Sequence, residues 1–286
     1  MPLSLHAHNT LFGDAPRTIW RGGLEVEADM HWEMFGRFME HDSTLRNPDN
    51  VRVNVWTFTV GLTYGITRDF SVRAMVPVSY AVRTSKVRDM NDNYFGMRDI
   101  GLAFKYRLYN EPQPGGSFQG GVFVEFMLPT AQARGPIGLL SKNISFGDET
   151  VDFRAGATWS YSTTRHYFWF DVSARTSTLN EGRIMGPSAN IHPAYAVRVF
   201  ELTDYRDFDM ILLFETDVEY AYRMWMDYKQ VRPSGHFKVH VSFGIQMNIT
   251  NRVEMKLGYE YPIYQYYYMR TFVHEGEGKI SFNYLF

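Results

Sequence analysis

The chain lacks cysteine altogether, which excludes a disulfide framework and any metal site built from thiolates. It also lacks an apolar run long enough for a transmembrane helix, and its mean hydropathy is −0.30. The formal net charge is only −2, so we expect no nucleic-acid partner. Residues 1–10 have neither the basic start nor the apolar core of a signal peptide.

Aromatic side chains, in contrast, are abundant: they make up 16% of the 286 residues, with 19 tyrosines and 22 phenylalanines. A polar average combined with many aromatics is typical of a transmembrane β-barrel, because only alternate residues of each strand meet lipid. Residues 278–286 show this alternation, since one strand face carries only Ile280, Phe282, Tyr284 and Phe286. The pattern resembles the C-terminal signal of bacterial outer-membrane barrels. We therefore expect the barrel assembly machinery to recognise Phe282, Tyr284 and Phe286.

The same alternation recurs through the rest of the chain. In residues 24–34, apolar positions alternate with Glu25, Glu27, Asp29 and Glu33, a row of carboxylates that cannot face a soluble core. Ten further segments alternate in the same way: 56–64, 70–80, 100–108, 122–128, 151–161, 168–174, 195–199, 210–220, 237–247 and 253–261. A soluble sandwich would also alternate, but it would not require the aromatic residues that fall at both ends of the outward faces.

The connections between these segments alternate between short and long. Short connections fall at 67–69, 110–117, 162–165, 202–207 and 250–252, and longer ones at 39–50, 84–96, 131–149, 178–191, 225–235 and 265–277. Short periplasmic turns and longer extracellular loops are characteristic of outer-membrane barrels. The sequence therefore predicts an all-β fold: a single closed antiparallel transmembrane β-barrel of about 12 strands in residues 22–286. Residues 1–21 would be a periplasmic N-terminal lead-in, with space to enter the mouth of the barrel.

Three segments carry a resemblance to a known family. They are YGITRDFSV at residues 64–72, running on to Val76 and Pro77, DIGLAFKYR at residues 99–107, and FMLPT at residues 126–130. These segments resemble hairpins of the family named for the MetA pathway of phenol degradation, whose members are described as outer-membrane transporters. The resemblance covers mainly residues 60–130. It implies a barrel that passes aromatic or otherwise apolar small molecules, and it implies no particular binding residues.

The strand faces opposite the apolar ones carry charged side chains, which would point into the lumen. The predicted acidic lining comprises Glu25, Glu27, Asp29, Glu33, Glu125, Asp209, Glu215, Asp217 and Glu219. The predicted basic lining comprises Arg73, Arg83, Lys105, Arg107, Arg154, Arg175, Arg198 and Lys238. Since a charged group away from water needs a partner, the lumen is expected to be polar and partly filled with water.

Two arrangements of these charges remain open. A barrel of about twelve strands would place the acidic strand around Glu215 across the lumen from the basic strands around Arg73 and Lys105, giving an electric field across the pore. Alternatively, the charges pair with neighbours such as Arg198 and Lys238 and block the lumen.

Motifs for catalysis or cofactor binding are missing: there is no phosphate-binding glycine loop, no HExxH and no GxSxG. His240 and Ser242 resemble the His/Ser pair of outer-membrane phospholipases, which lies on the lipid-facing wall. The alternation turns both residues inward, so we predict an ordinary lumen histidine. His6 and His8 are interpreted as part of a polar terminus, so neither a metal ion nor a cofactor is predicted.

Three functions are compatible with this sequence. The first is an outer-membrane channel or transporter that passes small solutes through a charged, partly water-filled lumen. The second is a structural barrel that sheaths or anchors a partner protein, a lipoprotein or a cytochrome, in an outer-membrane complex. The third, which we disfavour, is a phospholipase-like enzyme. In each case we expect the outer membrane of a Gram-negative bacterium, contact with outer-membrane lipids and a signal peptide that has been removed.

Overall fold

The structure is a computed structural model that describes residues 10–85, 87, 90–131, 147, 150–178, 183–184, 186–200, 208–226, 229–230 and 234–286. Within these ranges there is no helix, and hence none that could cross a membrane. The described residues form sixteen strands: β1 (Leu24–His41), β2 (Ser43–Leu45), β3 (Val51–Gly65), β4 (Phe70–Ser85), β5 (Met90–Met97), β6 (Ile100–Gln113), β7 (Gly116–Leu128), β8 (Asp152–Thr163), β9 (His166–Ser177), β10 (Arg183–Ile184), β11 (Ser188–Arg198), β12 (Asp209–Ala221), β13 (Trp225–Met226), β14 (Lys229–Gln230), β15 (His236–Asn248) and β16 (Val253–Leu285).

Eleven of these strands pair side by side into one closed antiparallel sheet. The order is β16–β15–β12–β11–β9–β8–β7–β6–β4–β3–β1, and β1 closes the ring by pairing with β16. Closure satisfies the backbone N–H and C=O groups of the first and last strands, as lipid requires. β2 and β5 pair with β1 and β4, while β10, β13 and β14 form a separate small sheet in the connections.

β16 supplies two of the barrel's spans. It covers 33 residues, and a straight strand of that length would extend over about 110 Å. Instead its two ends meet, because the amide of Leu285 donates to the carbonyl of Arg252 over 2.9 Å. Residues 254–267 pair with β15 and residues 271–285 pair with β1, antiparallel in both cases. The ring of eleven strands therefore contains twelve spans, which confirms the predicted barrel.

The short turns lie at one end of the barrel, here called the turn end, and the longer connections lie at the other, the loop end. Described short turns join β3 to β4 at 66–69, β6 to β7 at 114–115, β8 to β9 at 164–165 and β15 to β16 at 249–252. The predicted turn at 202–207 and most of the predicted loop at 131–149 lie outside the described residues.

Two predicted connections are strand instead. Residues 265–277 belong to β16, because backbone pairing with β15 continues as far as Tyr267 and backbone pairing with β1 covers Tyr267 and the residues from Thr271 onward. β11 begins at Ser188 and so includes the end of the predicted loop 178–191. Its pairing with β12 passes from Ile191 directly to Ala194, since Pro193 between them has no N–H to donate. Because of this interruption, alternation predicted only residues 195–199 as a strand, whereas β11 begins at Ser188.

Side chains alternate between lipid and lumen along the ring, as predicted. Exposed aromatic rings form a band near the turn end, which includes Trp20, Tyr64, Tyr106, Tyr161 and Phe286. A second band lies near the loop end and includes Tyr80, Tyr220, Tyr222 and Tyr261. Such bands mark the two membrane interfaces of a transmembrane barrel.

Part of the inner wall is apolar rather than polar. Toward the loop end, a buried cluster fills the space inside β1, β3, β4 and β16, and its members are Phe35, Val53, Val55, Ala81 and Phe272. Phe38, Val51 and Tyr94 cover this cluster. The expectation of a polar lumen therefore does not hold on this side of the barrel.

The C-terminus closes the barrel against β1. The amide of Phe286 donates to the carbonyl of Leu24 over 2.8 Å, and its ring is 58% exposed on the lipid face. Deleting Phe286 is expected to lower the amount of assembled barrel several-fold, because closure and recognition by the assembly machinery would both use this end. Phe286→Tyr keeps the ring and serves as the control. Heat-modifiable gel migration of outer-membrane fractions measures the result, and a wild-type amount of barrel in the deletion variant would contradict it.

Candidate functional site

Residues 10–19, here called the luminal segment, lie inside the barrel. Thr10, Leu11, Ala15 and Ile19 are each less than 5% exposed. The predicted periplasmic lead-in is therefore corrected for these residues, which reach well beyond the barrel mouth. Residues 1–9 lie outside the described part of the chain.

A tight reversal at the turn end leads the chain from the lumen into β1. Gly22 has a φ of +79°, a conformation that residues with a β-carbon rarely adopt. Its amide donates to the carbonyl of Gly65 over 2.8 Å. Gly65 itself has no room for a side chain, because the backbone carbonyl of Trp20 lies against it. The two glycines thus allow the luminal segment to fold back beside β1 and β3.

Buried carboxylates of the barrel wall accept the backbone N–H groups of the luminal segment. Glu215 Oε1 and Oε2 accept from the amides of Leu11 and Phe12 over 2.5 and 2.9 Å. Asp171 Oδ2 accepts from the amide of Asp14 over 3.1 Å. Hydrogen bonds to charged groups are stronger than neutral ones, so these two carboxylates hold the segment on the β9–β12 side of the lumen.

Lysines of the wall bind the carbonyl groups of the same segment. Lys256 Nζ donates to the carbonyl of Thr10 over 3.1 Å, and Lys279 Nζ donates to that of Leu11 over 2.9 Å. On the opposite side, Lys105 Nζ donates to the carbonyl of Ala15 over 2.8 Å. Wall charges of both signs are therefore matched to backbone groups of the segment.

Two side chains of the luminal segment form ion pairs with the wall. The Asp14 carboxylate lies 3.0 Å from Arg154 Nη1 and 3.5 Å from Lys105 Nζ. Nearer the turn end, Arg17 Nη2 lies 3.1 Å from Glu25 Oε2. Asp14 thus provides the counter-charge for two predicted lumen bases.

Apolar contacts complete the docking of the segment. Ala15 packs in a buried cluster on the inner wall of β9, β11 and β12, together with Tyr167, Trp169, Ala194, Ala196, Ile211 and Leu213. Leu11 packs onto β15 and β16 where Gly244 and Gly258 face the lumen. A β-carbon added at Gly244 would lie 2.7 Å from Leu11 Cδ2, so a larger side chain there would displace the leucine.

Most of the predicted lumen charges pair with a neighbour on the inner wall. The pairs are Arg73 with Glu27, Arg154 with Glu125 at 3.4 Å, Arg198 with Asp209 at 2.9 Å, Lys238 with Glu219 at 2.9 Å, and Lys279 with Asp29 at 3.6 Å. Asp217 accepts from Asn190 over 2.8 Å. Local pairing therefore predominates, and the luminal segment bridges the acidic strand around Glu215 and the basic strands around Arg73 and Lys105.

The remaining predicted bases lie toward the ends of the barrel. Arg107 pairs with Asp69 over 2.7 Å at the turn end. Arg175, whose side chain is 57% exposed, pairs with Asp152 toward the loop end. Arg83 lies on the part of β4 that pairs with β5, where its Nε and Nη1 atoms are buried without a partner among the described residues.

The sequence interpretation missed His192, which lies at the centre of the site. Its ring nitrogens are 3.4 Å from Asp171 Oδ2 and 3.2 Å from Glu215 Oε2, and the ring is buried. Gly13 has no room for a β-carbon because this ring lies against it. The histidine and the two carboxylates together form a surface of the inner wall that contacts the luminal segment. Alternation did not assign His192 to the lumen, because Pro193 separates this histidine from the predicted strand at residues 195–199.

His240 and Ser242 face the lumen, as predicted, and do not form a catalytic pair with each other. Both side chains contact one carboxylate: His240 Nδ1 lies 2.7 Å from Glu260 Oε1, and Ser242 Oγ donates to Glu260 Oε2 over 3.1 Å. Both are less than 10% exposed and face away from lipid. A lipid substrate in the membrane could not contact this serine.

Comparison with solved structures finds the same architecture. The chain is similar to the crystal structure of the COG4313 outer membrane channel from Pseudomonas putida F1, with a TM-score of 0.76 and 8% identity, covering 95% of this chain and 98% of that chain. The beta domain of the Bordetella autotransporter Brka is more distant, with a TM-score of 0.48 and 10% identity, covering 93% and 100%. No protein-family model and no curated protein matches the sequence. The first likeness confirms the fold of an outer-membrane β-barrel, while membership of the family named for phenol degradation stays a prediction.

Proposed function

We propose that this protein is an outer-membrane channel for small solutes, and that its luminal segment closes the lumen until it is displaced. The fold supports this proposal, because the similar Pseudomonas putida barrel is described as an outer membrane channel. Charged and polar residues line much of the inner wall, and such a wall favours water and polar solutes once the lumen is open.

The way in which the luminal segment is held is the observation that carries the proposal. Among the described residues, side chains of the wall make most of its polar contacts, and Thr18 Oγ1 donates to the carbonyl of Arg68 in a turn over 2.9 Å. No backbone–backbone hydrogen bond joins residues 10–19 to a strand within the described part of the chain. Displacing the segment would therefore leave the barrel sheet intact. The wall groups it releases, Glu215 and Lys105 among them, would be solvated by the water that enters.

The structural alternative, a barrel that sheaths a partner protein, predicts a lumen that never conducts. Purified protein in planar bilayers is expected to show intermittent conductance steps, and proteoliposomes are expected to swell with small neutral solutes. Heat-modifiable migration of the same sample verifies that the barrel is folded. If folded protein gives neither conductance nor swelling, the channel function is wrong. Stable co-purification of a partner chain would then favour the sheath.

A further inference from the structure

A second cluster of polar side chains lies in the lumen, on the loop-end side of the luminal segment. Glu33, His274 and Glu277 each present one potential ligand atom, and these three atoms lie within 4.8 Å of one another. Lys279 lies two residues from Glu277 in the direction of the turn end, and it contacts the carbonyl of Leu11. The cluster is therefore adjacent to the luminal segment and separate from the carboxylates that hold it.

An irregularity in the pairing of β1 with β16 brings the three residues together. In a regular strand, two residues three apart face opposite sides. Here Met34 pairs with Gly276 and Phe35 pairs with His274, which leaves Glu275 as an extra residue in β16. The resulting β-bulge turns His274 onto the same face as the glutamate three residues later. Bulges are frequent beside functional sites because they re-aim a side chain in this way.

Two histidine nitrogens at this cluster lack a protein partner. Nε2 of His274 and Nε2 of His240 are both buried without a hydrogen bond among the described residues, and the two rings lie 5.8 Å apart. The His240 side chain is only 9% exposed. A buried nitrogen without a partner is unfavourable, and coordination to a metal ion would satisfy it.

Neighbouring side chains contact the two carboxylates but do not take the place of a metal ion between them. His31 Nδ1 lies 2.6 Å from Glu277 Oε1, and a hydrogen bond of this kind commonly fixes the orientation of a ligating carboxylate. Arg98 donates to Thr57 over 3.3 Å and remains 3.9 Å from Glu33. The guanidinium therefore makes no hydrogen bond with that glutamate.

We propose that Glu33, His274 and Glu277 bind a divalent transition-metal ion of the Zn²⁺ type. One imidazole and two carboxylates with a further open position suit such an ion, whereas Mg²⁺ and Ca²⁺ prefer oxygen ligands alone. His240 lies outside this group of three, with its ring 5.8 Å from that of His274. Because Glu33 lies on β1 and the other two ligands lie on β16, the ion would join the first and last strands of the barrel. This site does not depend on the channel function.

Calorimetry with ZnCl₂ on tag-free protein in detergent tests the proposal, with metal analysis after dialysis as a second measurement. Wild type is expected to bind one ion per chain. His31→Gln should weaken binding by about 10- to 100-fold, the usual cost of losing a side chain that orients a metal ligand. His274→Gln and Glu277→Gln remove ligands and should weaken it further. His166→Gln is the matched control, since His166 is an exposed histidine at the turn end that bonds Tyr195, and its affinity should be unchanged.

Each variant is first shown to be folded by heat-modifiable migration, and Glu33→Gln replaces any ligand variant that fails this check. X-ray absorption of the zinc-loaded protein should show nitrogen and oxygen ligands at about 2.0–2.2 Å. The proposal is wrong if the folded wild-type protein does not bind one zinc ion per chain. It is also wrong if His274→Gln and Glu277→Gln bind zinc as tightly as wild type does.

Discussion

Reversing the charge of Asp14 should raise the open probability of the pore by about tenfold or more, since contacting charges couple by about 0.5–3 kcal/mol and each 1.4 kcal/mol is about a factor of ten. The Asp14 carboxylate lies 3.0 Å from Arg154 Nη1 and 3.5 Å from Lys105 Nζ. Asp14→Lys would place three cations together in a confined lumen and repel the luminal segment. Asp14→Asn removes the attraction without adding repulsion, so its effect should be smaller. Single-channel recording measures both.

A charge swap separates this effect from general damage. Arg154→Asp combined with Asp14→Lys restores opposite charges across the contact, so the double variant should open less often than Asp14→Lys alone. Asp69→Lys is the matched control, because Asp69 pairs with Arg107 at the turn end and does not touch the luminal segment. Its open probability should stay at the wild-type level. An open probability in Asp14→Lys equal to that of wild type would show that this contact does not close the pore.

Alternation with period two was enough to predict the barrel. Each span needs one lipid-facing side, so the apolar positions of a strand such as β4 are set by the membrane and not by distant contacts. The inward direction of Glu215, Lys105 and Arg154 followed from the same rule. Which partner each charge finds could not be predicted in this way, because a partner on a neighbouring strand depends on register.

The luminal segment could not be predicted because it has no periodicity of its own. Its backbone binds Glu215, Asp171 and Lys279, which are separated by long stretches of sequence and meet only when the barrel closes. The sequence does place two glycines, Gly244 and Gly258, on inner positions where a larger side chain would collide with Leu11. Small residues on an inner face, in two adjacent strands, are therefore the signal that indicates a segment inside the barrel.

Local irregularities account for the other differences. The sequence predicts a loop at His274, because a bulge at Glu275 breaks the alternation of β16. His192 was not predicted for a similar reason, because it lies next to Pro193 in β11. Both departures from a regular strand place a histidine in the lumen. Irregular positions in an otherwise regular barrel are therefore candidate functional sites.

A disulfide between the luminal segment and the wall should abolish conductance almost completely. Leu11 Cγ lies 3.1 Å from the place that a β-carbon at Gly258 would occupy, so Leu11→Cys with Gly258→Cys should allow the β-carbon separation of about 3.5–4.5 Å that a disulfide needs. The chain contains no native cysteine, so no other disulfide can form within it. Oxidation would fix the segment in the lumen, and reduction would release it.

Single-channel recording of this double variant, before and after addition of a membrane-permeant reductant, is the most direct test of closure by the luminal segment. Leu11→Cys and Gly258→Cys alone are the controls for the substitutions themselves, and gel migration reports the extent of cross-linking. We expect no conductance steps in the oxidised double variant and a return of steps on reduction, with no response to the reductant in either single variant. A fully cross-linked protein that conducts as well as its reduced form would show that solutes pass without displacement of the luminal segment.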